Sequence, residues 1–393
     1  MDAVALSAPN DTAVPALNTG FRVDVVTTAA ALDALRPDWT ALEEVSAPSA
    51  IFQSHAQIRI WARHFVPAGG GIRLHVALVR RNGVAVLILP LVIAGLPGLR
   101  IARMAGDPIA QYCEILADPT IDASAAFDAA IASVKQAGAD AIVFRRIRED
   151  SHLLKLARPL LRPPISRQAA PFADLSRFAD YRAYLKSLSH KTRHGLKNRE
   201  HRLKNAGESR FEHTMGGRAA RMALADAMDL KRKWLVQRGA MSSALVDTET
   251  KACLLDLTDD PATGSVVARL TVNDATAAIR FGFEYRNTHF TYLSAYDERF
   301  AGLSPGKLLM HFVLSSFKER GLQRVDMLPP AGRHKAEWCR SEVGVADYTL
   351  PLSEAGRLYA IVYQERVRPG LQRVWKRMPL SLRSLIAALL LRL

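Results

Sequence analysis

Between His289 and Met310 an apolar stretch runs into a short loop holding Gly302, Ser304, Pro305 and Gly306, and a helical pattern starts at once. No other segment constrains the fold as much. A strand that feeds a helix through so short a loop aims the free N–H groups of the helix N-terminus at whatever lies above it. Such a terminus favours an anion, typically a phosphate. Gly321 follows the helix, and Gln323–Leu328 reads as a second strand. Strand, phosphate loop, helix, strand is the order on which a functional reading can be built.

The remaining composition narrows the class. A chain of 393 residues, 49% apolar and 23% charged, can bury a sizeable core and has room for two to three domains. Cys113, Cys253 and Cys339 are odd in number, far apart and free of any CxxC spacing, which excludes a disulfide framework and a zinc ribbon and favours a reducing compartment. The first twenty residues carry Asp2 and Asp11 but no Lys or Arg, so no secretory signal is expected and the protein is expected in the cytoplasm.

The net charge of +15 is unevenly spread. Arg182–Lys204 holds eight basic residues against Glu200, and the tail from Arg357 holds eight against Glu365, so these two segments account for nearly the whole excess. Two local anion-contacting surfaces are implied, rather than a uniformly basic nucleic-acid binder.

Along the chain, residues 1–20 read as a flexible leader. Arg22–Val26, Ile72–Leu78, Val84–Ile93, Ile101–Ala105 and Ala141–Phe144 read as strands, with Asn82-Gly83 as a hairpin turn. Helical spacing marks Ala30–Val45, Phe52–Phe65 and Ser124–Gln136. The prolines of Arg158–Pro171 make that segment the best linker. Beyond it, Tyr181 to Lys204 reads as one long helix, Ala219–Gln237 as a second, and Ser265–Thr271, Ala275–Tyr285 and Thr288–Tyr296 as a meander. Tyr348–Leu352 can supply a last strand. The two halves repeat an order of helices, hairpin, irregular loop, helix and strand. The expected fold class is α+β, a tandem pair of domains (21–165 and 170–355), each a mixed, mostly antiparallel sheet flanked by helices, followed by a basic amphipathic tail (356–393).

Three motifs carry a resemblance: Tyr184-Leu-Lys-Ser-Leu-Ser-His-Lys-Thr-Arg193 with Leu196-Lys-Asn and Arg202-Leu203; Tyr296-Asp-Glu-Arg-Phe300 with Ser304-Pro-Gly-Lys-Leu-Leu309; and Val325-Asp326, Gly332 and Lys335-Ala-Glu-Trp338. Together they make the second half similar to the CelD-like branch of the GNAT acetyltransferase superfamily, found with cellulose and exopolysaccharide genes and related to the FemAB aminoacyltransferases. The resemblance spans roughly residues 21–352. It implies a tandem of GNAT-like domains and an N-acyltransferase that takes acetyl-CoA or another acyl-CoA to an amine of an envelope or exopolysaccharide precursor. The rivals are a FemAB-like transfer from aminoacyl-tRNA and a non-catalytic scaffold of a polysaccharide synthase. Two departures from the pattern stand out: Pro305 removes an N–H donor from the loop, and His334 stands where the family commonly has Tyr.

The resemblance turns the loop into a cradle for the pyrophosphate of coenzyme A, formed by Leu303, Ser304, Gly306, Lys307 and Leu308; the plain alternative is a strand–helix turn. For acid–base work the candidates are Glu284, Tyr292, Tyr296 and Asp297, with water as an equal alternative. Burial in a cleft would raise the pKa of Glu284 toward useful values, whereas an ion pair with Arg280 is its structural alternative. Lys191, Arg193, Trp234, Arg238, Asp326 and Lys335 are candidates for substrate contact. His190 and His194 have i, i+4 spacing, but Lys191 and Arg193 beside them oppose a cation, and no metal is expected. The tail mixes Arg373, Lys376 and Arg377 with Trp375, Leu380, Leu382, Leu385 and Ile386, too short an apolar run to span a bilayer, and is expected to lie on an anionic membrane surface or a synthase complex.

Overall fold

Three two-residue turns build most of the sheet. Asn82-Gly83, Asn273-Asp274 and Arg286-Asn287 all adopt positive φ, the backbone hand that suits tight hairpins between twisted strands. The first joins β2 (Ile72–Arg81) to β3 (Val84–Leu96). The other two join β9 (Ser265–Val272), β10 (Ala275–Tyr285) and β11 (Thr288–Tyr296). The protein is described here from a computed structural model that covers residues 20–66, 70–96, 98–237, 247–379 and 381–382.

The remaining strands are β1 (Phe21–Val26), β4 (Leu99–Met104), β5 (Leu116–Ala117), β6 (Ala141–Arg148), β7 (Ser166–Asp174), β8 (Ser209–Met215), β12 (Arg324–Asp326) and β13 (Ser341–Pro351). They form one sheet in the order β1-β2-β3-β4-β6-β13-β7-β12-β11-β10-β9-β8, with β5 on β3. The order is a palindrome of two six-strand halves. In each, an antiparallel meander is followed by a parallel crossover, β4 to β6 or β11 to β12. An antiparallel strand then closes each half, and the closing strands are exchanged in sequence. β13 comes from the far end of the chain yet pairs with β6, while β7 pairs with β12.

This exchange corrects the expected linker. The last six residues of Arg158–Pro171 are strand, because β7 starts at Ser166 and pairs with β13 from there. The final strand is also longer than Tyr348–Leu352, and it belongs beside the first half of the sheet.

The helices used below are α1 (Arg36–Val45), α2 (His55–Phe65), α3 (Ser124–Gln136), α4 (His152–Ala157), α5 (Tyr181–Ser187), α6 (His190–Ala206), α7 (Gly217–Gln237), α8 (Thr248–Asp256), α9 (Pro305–Ser315), α10 (Arg333–Ala336), α11 (Glu354–Leu358) and α12 (Arg368–Arg377). The long helix expected from Tyr181 to Lys204 is broken at Leu188, whose extended backbone ends α5. Ser189 then caps α6 by accepting from the Thr192 N–H.

One core joins the halves. Trp39, Phe52 and Trp61 from the first half share a buried cluster with Phe281, Phe283 and Phe290 from the second. The Phe52 ring meets Phe283 and Phe290 edge-on at 5.9 and 5.8 Å. Truncating such a ring costs about 3–5 kcal/mol. The opposite face of the second half is covered by α5, α6 and α9, through Tyr184, Leu196, Leu203, Leu308, Met310 and Phe317.

Candidate active site

β11 and β12 are paired only at Thr288–Arg324, His289–Val325 and Phe290–Asp326. Beyond Phe290 the two chains part. β11 runs on to Tyr296, so its edge from Thr291 loses its strand partner on that side. A cavity of about 750 Å³ opens in the gap, lined along this edge by Thr291–Tyr296 and across it by Met327, Leu328 and Pro329. The first half splays at the equivalent place, but there Cys113 bridges to Ile147 and a space of only about 10 Å³ is left. The first half instead lends Gln111 to the wall of the larger cavity.

The loop and α9 close one end. Ser304 sits in the left-handed region (φ 55°) and Pro305 starts the helix. The cradle is leaner than expected. The N–H groups of Lys307 and Leu308 both donate to the Ser304 carbonyl, at 3.0 and 3.4 Å, and the Ser304 N–H donates to Ala301. Among the described residues Gly306 keeps an N–H with no backbone partner, and a Cβ built on it would meet nothing within 4 Å. Leu308 is a core residue packed with Leu309 and Val313, and the partly buried Leu303 rests against them. Lys307 lines the cavity, but its Nζ is held by Glu337 at 2.6 Å.

Beneath the helix start lies Arg280. It is 7% exposed, its Nη2 donates to the Gly306 carbonyl at 3.2 Å, and its Nε is buried without a hydrogen-bond partner. Desolvation brings its pKa down to about 10. The ion pair with Glu284 does not form. Glu284 sits at the other end of α9, where Arg320 donates to it and His289 and His213 approach at 3.0 and 3.4 Å. Burial pushes the Glu284 carboxyl up, but the hydrogen bonds from both histidines and the Arg320 charge win and hold it far below the usual carboxylate range. The expectation of a raised pKa in a cleft is therefore corrected. Alternation along β10 put Arg280 and Glu284 on one face, and only the packing of α9 decided which of them faces the opening.

Asp297 is likewise outside the cavity lining. It accepts from the Arg299 N–H at 2.9 Å and pairs with the Arg299 side chain at 2.7 Å, so it caps the turn that follows β11. Asp326, expected to touch substrate, is 1% exposed and is spent on structure. Its Oδ2 pairs with Arg148 at 2.8 Å, and its Oδ1 accepts from Tyr112 and from the Leu328 N–H, each at 2.8 Å. These bonds tie the halves together and hold Leu328 at φ 59°, a conformation a Leu rarely adopts. Lys335 completes the clamp by donating to the carbonyls of Leu328 and Pro330 at 2.7 and 2.8 Å, and it also lines the cavity.

Tyr292, Tyr296 and Trp234 line the cavity. Tyr292 donates to the Ile109 carbonyl at 3.0 Å, and burial raises its pKa to about 12. Trp234 Nε1 donates to the Tyr296 hydroxyl at 3.3 Å, with Lys231 Nζ 4.3 Å from the Trp234 ring centre. Arg193 caps α5 by donating to the carbonyls of Lys186 and Leu188 and does not reach the cavity. Lys191 lines a neighbouring groove. Arg238 lies outside the described residues.

The sequence reading missed Gln111, Lys231 and Arg280 as cavity residues. A signal existed for Arg280, a lone cation between the apolar runs Ala277-Ala278-Ile279 and Phe281-Gly282-Phe283. Among the described residues the lining reads Lys231, Arg280, Lys307, His334 and Lys335 beside apolar, amide and hydroxyl groups, with no Asp or Glu. A cavity of this size with one polarity of charge and an unpaired helix N–H suits an elongated anionic ligand with an apolar arm. No group of His, Cys, Asp and Glu among the described residues could hold a metal ion.

Residues 190–336 match the family model described as an acetyltransferase (GNAT) domain. Among curated proteins none matches the chain. The fold is similar to a conserved protein of unknown function from Bacteroides thetaiotaomicron VPI-5482 (TM-score 0.54, 12% identity, covering 83% of this chain and 99% of that one). It is also similar to FemX (TM-score 0.55, 10% identity, covering 77% and 93%). At these identities the likeness is one of fold. Residues 190–336, which contain the splayed strand, the loop and α9, are thus the part of the chain that is similar to a GNAT acetyltransferase domain.

Proposed function

We propose that the protein is an acyl-CoA-dependent N-acyltransferase of the CelD-like branch, transferring an acyl group, acetyl by expectation, directly to an amine of an envelope or exopolysaccharide precursor. The observation that carries the reading is the cavity at the β11–β12 splay, lined by cations and, among the described residues, by no carboxylate. A nucleotide thioester fits these residues. Arg280, whose Nε has no hydrogen-bond partner, and Gly306, beside which a side chain would meet open space, both line the cavity. Arg280, Lys307 and Gly306 would hold the diphosphate, and a bound acyl thioester supplies an activated carbonyl.

The chain's own groups support direct transfer. The unpartnered edge of β11 can donate N–H groups to the oxygen that becomes negative as an amine attacks. With no carboxylate among the described lining residues, the amine's proton passes to water or to His334. Desolvation first, then Lys335 and Arg280, lower the His334 pKa, so its imidazole is neutral and able to accept near neutral pH. Tyr296, which accepts from Trp234, retains its own proton for the departing thiolate. No covalent intermediate on the protein is required.

We also propose peripheral contact with an anionic membrane. From α11 to α12, Leu358, Val362, Val367, Leu371 and Val374 are exposed, at spacings that share a helical face, and Arg357, Arg366, Arg373 and Arg377 accompany them. No described helix is long and apolar enough to cross a membrane. Calorimetry tests the enzymatic reading: micromolar binding of acetyl-CoA supports it. Absence of binding together with tight retention of aminoacyl-tRNA would replace it with aminoacyl transfer. Absence of both, with binding to a polysaccharide synthase, would leave a scaffold. Flotation with anionic vesicles tests the membrane contact, which deletion of 371–393 should abolish.

A further inference from the structure

A second groove of about 360 Å³ adjoins the cavity, and Lys307 lines both. Three parts of the fold meet in it: the start of α6 with Lys191 and Arg199, the first turn of α9 with Lys307, and the α10 region with Arg333, Glu337 and Arg340. Five cations face one carboxylate, and Glu337 is already bonded to Lys307. Lys191, Arg199, Arg333 and Arg340 have no carboxylate within 4.0 Å among the described residues. Arg340 donates to the Ser187 carbonyl at 3.1 Å, which holds its guanidinium at the rim.

Arg199 is the most informative of the four. Its Nε is buried and has no hydrogen-bond partner, whereas buried donors in folded proteins are nearly always satisfied. Its position is set by Gly195, where an added Cβ would lie 2.6 Å from Arg199 Nη1. Glycine is a poor residue for a helix interior. Here it leaves the space into which the guanidinium folds. An arginine fork held in place beside three further cations is suited to a compact oxyanion with several acceptor oxygens.

We propose that this groove seats a terminal phosphate monoester, the most anionic end of the donor nucleotide, while the thioester end of the same molecule occupies the cavity beyond Lys307. The inference rests on the acyl-CoA reading and deepens it. Coenzyme A carries such a group as its 3′-phosphate, close to a dianion at neutral pH. Arg199 and Arg340 grip it, and Lys191 and Arg333 raise the local potential.

The test compares acetyl-CoA with 3′-dephospho-acetyl-CoA by calorimetry on the full chain. The wild type is expected to bind acetyl-CoA at least ~10-fold tighter. Arg199→Gln and Arg340→Gln should bring that ratio close to one by weakening acetyl-CoA alone. Gly195→Ala, which suits a helix, should do the same by pushing Arg199 aside, and it carries the test if an arginine variant fails to fold. Equal affinities in the wild type overturn the groove assignment and leave the acyl-CoA reading standing. Undiminished discrimination in all three variants also overturns it. Binding of neither nucleotide overturns the donor reading itself, and the assignment with it.

Discussion

Arg280 donates from Nη2 to the carbonyl of Gly306 at 3.2 Å and has no carboxylate within 4.0 Å among the described residues, so a buried cation sits under the first turn of α9 without a counter-ion. A lone buried charge is costly, and even buried ion pairs can often be replaced by apolar side chains with a gain of about 1–4 kcal/mol. Arg280→Met is therefore expected to raise the thermal midpoint of the unliganded protein while weakening acetyl-CoA by about 100-fold, the worth of a charge-assisted pair out of bulk water. Melting curves with and without acetyl-CoA read both effects. A variant that loses stability and keeps its affinity would mean that Arg280 is a structural residue.

Gly306 has open space where a side chain would project. Gly306→Trp should fold normally, with a melting temperature close to wild type, because nothing in the protein is displaced. The indole would fill the mouth of the cavity, so calorimetric binding of acetyl-CoA should vanish. Undisturbed binding would move the ligand away from the α9 terminus.

The carboxylates expected to work on substrate are instead structural, and this separates stability from turnover. Glu284→Gln breaks the cluster with Arg320, His213 and His289, and Asp326→Ala leaves the buried Arg148 with Asp150 alone and removes the acceptor of the Tyr112 hydroxyl and the Leu328 N–H. Each should cost about 3–5 kcal/mol in denaturant titrations. Glu284→Gln, assayed well below its melting point, should keep turnover within about threefold of wild type, against the hundredfold or more lost when a proton-transfer group is removed. A pH–rate profile that loses its lower limb in Glu284→Gln would restore Glu284 as a base.

Tyr296 takes a hydrogen bond from Trp234 and lines the cavity, while Tyr292 is tied to the Ile109 carbonyl. Tyr296→Phe is expected to lower kcat by about 10²-fold with little change in KM. Tyr292→Phe should act chiefly on stability, by about 1 kcal/mol for a lost hydrogen bond. The opposite pattern would exchange the two roles.

His75 gives the fold a pH dependence of definite sign. Burial, assisted by the Arg73 charge, lowers its pKa from 6.5 to about 4, and its Nε2 lies 3.0 Å from the Ser133 hydroxyl. The unfolded chain protonates near the ordinary value, the folded chain only near the lowered one. The stability associated with a neutral His75 is therefore complete above 6.5 and is lost as the pH falls toward about 4. The loss across that window is about 3 kcal/mol. Urea midpoints should fall accordingly between neutral and mildly acidic buffer, and His75→Gln should flatten the dependence.

Local chemistry made much of this legible before any coordinates. Turn pairs such as Asn82-Gly83 and Asn273-Asp274 demand positive φ, and alternation marked β9, β10 and β11 to within a residue or two. The strand–loop–helix at Ser304 could be read because a helix N-terminus behind a short loop has a definite polarity. These properties depend on neighbours in sequence, so a single chain records them.

Which groups face the cavity depended on neighbours in space. Arg280 and Glu284 occupy one face of one strand, and only the docking of α9 sends the first to the opening and the second to a buried ion cluster. Asp326 became structural because Arg148 and Tyr112, from the other half of the sheet, meet it. The closing strands are exchanged through pairings of β13 with β6 and of β7 with β12, which join segments far apart in sequence. Hydrophobic pattern and turn chemistry are short-range and nearly additive along the chain. Charge pairing and burial are decided by contacts between residues hundreds of positions apart, which no local pattern encodes.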